Sequence, residues 1–83
     1  LQASLAPATL LADVQAAWPG VVGGLIAAEA APVSERAGTV TVSCRAAVWA
    51  QELELMSEDI IARLNAAVSA GRITDLRCRV EGA

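Results

Sequence analysis

The sequence predicts a two-layer α+β sandwich, KH-like in outline, with elements in the order α-β-β-α-β and a three-stranded sheet. Two stretches, residues 9–29 and 49–68, repeat apolar side chains at steps of three and four, the period of an amphipathic helix. "TVTVSCRA" and "RITDLRCRV" instead alternate apolar and polar residues, the period of a strand with one buried and one wet face. Three strands with one greasy face need helices to cover that face, which gives two layers rather than a bundle.

In the first element Leu10, Leu11, Val14, Ala17, Trp18, Val21, Val22, Leu25 and Ile26 form one broad stripe, and Thr9, following Pro7, is placed to cap it. Pro19 lacks a backbone donor and disfavours α geometry at Trp18, so a kink or break is expected at "WPG". The apolar phase continues across it, which predicts one kinked helix with a second half weakened by Gly20, Gly23 and Gly24. From Ala30 the period changes. "APVSE" predicts a short strand whose Pro32 suits a sheet edge, and "RAG" a turn.

In the second strand Val40, Val42, Cys44 and Ala46 share the apolar face, while Thr39, Thr41, Ser43 and Arg45 share the wet one. The second helix aligns Trp49, Leu53, Met56, Ile60, Leu64 and Ala67, reinforced by Ile61 and Val68. Ser57, followed by Glu58 and Asp59, is a candidate N-cap, so a joint is expected near Met56; Gly71 is expected to close the helix. The last strand sets Thr74, Leu76, Cys78 and Val80 against Ile73, Asp75, Arg77 and Arg79. Residues 47–80 are long enough for a right-handed crossover, so this strand can run parallel to a hairpin strand and bring Cys44 and Cys78 into the interlayer core.

At 83 residues the chain is expected to be one domain, 1–83, with modest burial. It starts at Leu1 rather than Met, which reads as a piece of a longer protein. Six Arg, no Lys and no His against nine acids give net −3, so nucleic-acid binding would need a local patch. The longest apolar candidate, "GVVGGLIAAEAAPV", is broken by Glu29 and Pro32 and falls short of the roughly 20 residues of a membrane span. It also lacks the basic flank of a signal peptide. A soluble, cytoplasmic protein with reduced thiols is expected.

Without His, Lys or Tyr the chain lacks the usual proton shuttles, and it carries no zinc spacing, so no enzyme activity, no metal and no cofactor are expected. Glu52, Glu54, Glu58 and Asp59 read as a solvated helix face. "GVVG", Gly20 to Gly23, has the GxxG spacing of a nucleic-acid loop but no basic residue, and reads as close helix packing. Arg45, Arg77 and Arg79 fall on the wet sheet face, where they form either a solubilising surface or a small phosphate-binding patch. Trp49, at the start of the second helix, has the spacing of a core residue and the edge position of a binding hot spot. Trp18 reads as core.

Trp18, "VVGGLIA", Pro32, "AGTVTVSC", "WAQEL", "LN" at 64 and 65 and "ITDLRCRV", in this order, resemble the DciA family of bacterial proteins over nearly the whole chain. The resemblance implies a KH-like fold and a role in replication initiation, as a loader or operator of the replicative helicase DnaB, with DNA binding attributed to the family. It carries Trp49, Glu52 and Leu53 over as the "W-x-x-E-L" element, the candidate helicase contact. The family's basic extensions are absent from these residues. A KH-like single-stranded nucleic-acid binder acting through Arg45, Arg77 and Arg79 is the alternative, and an interaction domain with a partner outside replication is a third.

Overall fold

The computed structural model describes residues 9–81. They form α1 (Leu10–Val22), α2 (Gly24–Glu29), β1 (Ala30–Arg36), β2 (Thr39–Cys44), α3 (Ala47–Leu55), α4 (Ser57–Ala67) and β3 (Asp75–Val80). This is the expected α-β-β-α-β order, with each helical segment in two pieces. The sheet order is β1-β2-β3, with β1 antiparallel and β3 parallel to the central β2. Val40, Val42 and Cys44 from β2 and Leu76 from β3 meet Val14, Trp18, Leu53, Ile60 and Leu64 in one core, so the helices cover a single face of the sheet.

Thr9 caps α1 as expected, its hydroxyl accepting from the Ala12 N–H at 3.0 Å. The chain does not break at "WPG": α1 runs through Pro19 and ends at Gly23, whose φ of 91° suits glycine. The reason is tertiary. Trp18 is 2% exposed and its indole Nε1 donates to the Ala30 carbonyl at 2.8 Å, which holds the pre-proline residue in helical geometry against its local preference. The glycines do not serve close packing either, because a Cβ on Gly20, Gly23 or Gly24 would meet nothing within 4 Å. Pro7 lies outside the described residues.

The turn after β1 has two residues, Ala37 and Gly38, with Arg36 paired to Thr39 across it. Both have positive φ, 52° and 88°, as in the type I′ turns that match strand twist. A bulge at Val33, between the Pro32 and Ser34 pairings, bends the edge strand.

α3 and α4 meet at Met56, the expected joint. Ser57 is not the cap, however; Met56 holds that position and no side chain bonds the first turn of α4. Nor does Gly71 close the helix. α4 ends at Val68 in extended conformation, and Gly71 sits against Leu10, where a Cβ would stand 3.1 Å from a methyl group. The alternation predicted for the last strand also begins too early. Ile73 is 1% exposed and Thr74 is exposed, the reverse of expectation, because the strand starts at Asp75. Asn65 sets this: its amide donates to the Ile73 carbonyl at 2.9 Å and accepts from the Ile73 N–H at 2.7 Å, imitating a strand pair and turning Ile73 inward. Asp13 ties the preceding loop to α1, accepting from the N–H groups of Ser69 and Ala70.

The turn gives a paired test by urea unfolding. Ala37→Asn is expected to stabilise the fold by up to about 1 kcal/mol, since Asn tolerates the left-handed region better than Ala. Gly38→Ala is expected to destabilise it by more than about 1 kcal/mol, because its Cβ would lie 2.8 Å from Thr74 Oγ1 and 3.1 Å from the Arg72 carbonyl.

Candidate functional site

Two surfaces gather the chemistry-bearing residues. The first is the sheet face that no helix covers. Register places Ser34, Thr41 and Arg77 in one row across the strands, Arg36, Thr39 and Asp75 in the next, and Ala31, Ser43 and Arg79 in a third. Arg45 follows β2 on the same face, near Glu81. The three arginines singled out from sequence therefore do share a surface, and Arg36 joins them. Ser34, Arg36, Thr39, Thr41 and Arg77 line an open cleft. Ser43, expected to be wet, is only 7% exposed, as suits a central strand flanked by Ala31 and Arg79.

Of these four arginines only Arg77 has a carboxylate within 4 Å among the described residues, Asp75 at 3.9 Å, and both side chains are largely exposed. Such a pair is worth little and leaves the cation available. Four arginines thus stand here against Asp75, Glu81 and, beside Arg45, Glu29. The rest of the chain holds Arg63 and Arg72 against Asp13, Glu35, Glu52, Glu54, Glu58 and Asp59, with Arg63 tied to Asp59 at 3.0 Å. An acidic protein therefore carries one cationic face. Alternation exposed Arg45, Arg77 and Arg79 in sequence; Arg36 was hidden because its facing depends on the bulge and the turn length.

The second surface is α3. Leu53 is fully buried and pins the helix to the core, while Glu52 is exposed. Trp49 lies in the first turn, half-buried and packed against the core. Truncating a residue buried like Leu53 costs about 2–5 kcal/mol, so Trp49 and Glu52 are the members of the element that a partner can reach. The opposite side of α3 exposes Val48 and Leu55, which neither the apolar stripe nor the motif had singled out.

The two free cysteines meet between β2 and β3 on the core side, Cys44 buried and Cys78 half-buried. Burial pushes the Cys78 thiol up to about 12, with Cys44 and the Glu54 carboxylate adding to the shift. Burial also raises Cys44, opposed by the hydrogen bond from Cys78. Both are protonated near neutrality and are poor nucleophiles. Among the described residues no three of His, Cys, Asp and Glu come close enough to hold a metal ion, and no helix is long and apolar enough to cross a membrane.

The raised thiol has a pH signature. Between its ordinary value of 9.0 and about 12 the folded state keeps a proton that the unfolded chain loses, so this contribution to stability is complete below about pH 9 and is lost as pH rises toward 12. Urea midpoints are expected to fall above pH 9, and Cys78→Ala is expected to flatten that fall.

The family profile described as "Dna[CI] antecedent, DciA" matches residues 2–78. The chain is 36% identical over 75 residues to a UPF0232 protein of Mycolicibacterium paratuberculosis, covering 90% of this chain and 39% of that relative. It is 42% identical over 60 residues to a UPF0232 protein of Rhodococcus jostii, and 37% identical over 60 residues to one of Mycobacterium leprae. Those two matches each cover 72% of this chain and 32% of the relative. The chain therefore spans between 32% and 39% of the length of these relatives.

Proposed function

Because this chain belongs to the DciA family, we propose that it is a non-enzymatic adaptor that binds the DnaB-type replicative helicase and promotes its loading on DNA during replication initiation. The observation that carries this reading is the family match over residues 2–78. The element order is compatible with the KH-like fold that the resemblance implies. The sequence contains no GxxxxGK[ST] loop to cradle a nucleotide's phosphates, so the ATP chemistry belongs to the partner. In this role Trp49 and Glu52 make the contact, and Leu53 holds α3 in place for them.

A second reading, single-stranded nucleic-acid binding through Arg45, Arg77 and Arg79, is favoured by one specific observation: with Arg36, these side chains occupy an uncovered face beside threonine and serine hydroxyls. It is not the KH mode of binding. The α3–α4 joint, where a KH fold would carry its glycine loop, is the single residue Met56 with no glycine or cation beside it. The face also has no aromatic platform, so any binding would be sequence-tolerant and electrostatic.

Calorimetry of the full-length protein with the replicative helicase of its own organism tests the first reading. Trp49→Leu, which keeps apolar packing, is expected to weaken binding by about 2 kcal/mol, or about 25-fold, with an unchanged circular dichroism spectrum. A wild-type protein that does not bind the helicase would overturn the adaptor. For the second reading, single-stranded DNA is titrated at several salt concentrations. Replacing Arg36, Arg45, Arg77 and Arg79 by Ala is expected to make the slope of log K against log salt shallower by about 2–3, at about 0.7 for each phosphate no longer neutralised; an unchanged slope would remove this face from DNA binding.

A further inference from the structure

The outward side of α3 departs from what a solvated helix needs. Val48 is 56% exposed and Leu55 83% exposed. They lie seven residues apart, two turns or about 10.5 Å along the axis, with Gln51 and Glu52 between them on the same line. Positions i, i+3, i+4 and i+7 are the anchors that a helix uses when it docks along another surface. A single exposed leucine means nothing. Two aliphatics at this spacing, on a helix clamped from behind by Leu53, form a short fixed ridge.

Charge narrows the occupant. α3 contains no Arg, and among the described residues neither Glu52 nor Glu54 has a cation within 4 Å. Glu54 joins Gln51 and Leu55 around a shallow hollow beside the ridge. The neighbouring α4 provides an internal contrast: its exposed positions are Glu58, Asp59, Ala62, Arg63, Ala66 and Ala67, with no large apolar side chain, and its Asp59 is paired with Arg63. A nucleic acid or an anionic membrane would be repelled by Glu52 and Glu54. A second copy meeting this one through the same ridge would bring four unpaired carboxylates together.

We propose that the Val48–Leu55 ridge of α3 is a docking surface for a basic amphipathic helix of a protein partner, whose apolar side seats on Val48 and Leu55 and whose Arg or Lys side chains pair with Glu52 and Glu54. The proposal rests on the adaptor reading, in which that helix belongs to the replicative helicase. It adds residues outside the "W-x-x-E-L" element and fixes the sign of the partner's charge.

The test compares wild type, Leu55→Glu and the double variant Glu52→Lys/Glu54→Lys of the full-length protein, titrated with the helicase at two salt concentrations. Amide exchange of α3 is followed with and without the helicase, and sedimentation of the free protein is recorded. All the substituted side chains are exposed, so folding is expected to change by no more than about 0.5 kcal/mol. Leu55→Glu is expected to weaken binding at least tenfold at both salts. The double variant is expected to do so at low salt and to lose most of the salt dependence, while the helicase slows exchange along residues 48–55. Variants that bind as tightly as wild type would overturn the docking surface and remove Glu52 from the helicase contact, while leaving the adaptor standing on Trp49. Wild type that does not bind the helicase would overturn both. A free protein that sediments as a dimer and becomes monomeric with Leu55→Glu would give the ridge to a second copy, and α3 amides released by Leu55→Glu in a free monomer would give it to the protein's own chain; either result overturns the proposal.

Discussion

Two parallel strands cannot be joined by a tight turn, and the edge strand β3 runs parallel to the central β2 of this small sheet. The chain must leave the sheet after Cys44 and return at Asp75, and it spends the interval as α3 and α4. Both helices pack on the face that carries Val40, Val42, Cys44 and Leu76, where α1 closes the same core. The opposite face is left without a layer. A domain built this way has two kinds of surface from the outset: a pleated face of strand side chains in register, and the outward sides of helices pinned from below. Both candidate sites are consequences of that one pairing.

What could be read from the sequence is what repeats. Val40, Val42 and Cys44 recur every second residue, and Leu53, Ile60 and Leu64 at steps of seven and four, so each is placed by several neighbours that agree. The features that escaped are those where one tertiary bond outweighs a local preference. Pro19 stays in a helix because the indole of Trp18 is held by the Ala30 carbonyl. Ile73 turns inward because the side chain of Asn65, eight residues earlier, supplies both halves of a strand-like pair. Nothing near Ile73 in the sequence announces this; the asparagine looks like an ordinary polar position near the end of a helix.

The same division applies to the candidate sites. Arg45, Arg77 and Arg79 share a parity along their strands and need only a correct strand pairing to meet. Arg36 needs the bulge at Val33 and a two-residue turn as well, and neither has a pattern at the level of residue type. On α3 the stripe through Trp49 and Leu53 reports the side that faces the core. Val48 and Leu55 stand on the other side, and exposure, which periodicity does not measure, is what singles them out.

Net charge hides the arrangement that matters electrostatically. At −3 the molecule repels nucleic acid at long range, yet the sheet face holds four of its six arginines and α3 holds only carboxylates among its charges. The body of α3, a helix about 10 Å across, lies between the two surfaces. The Debye length is about 8 Å at physiological ionic strength, and each face then acts nearly independently on what touches it. At low salt the faces are no longer independent. A cationic partner seated on α3 would offset the acidity that opposes an approaching phosphate chain, and the sheet face would bind that chain more readily. Coupling of this kind needs no conformational change, has the same magnitude in both directions and fades as salt is added, which distinguishes it from a switch built on moving elements.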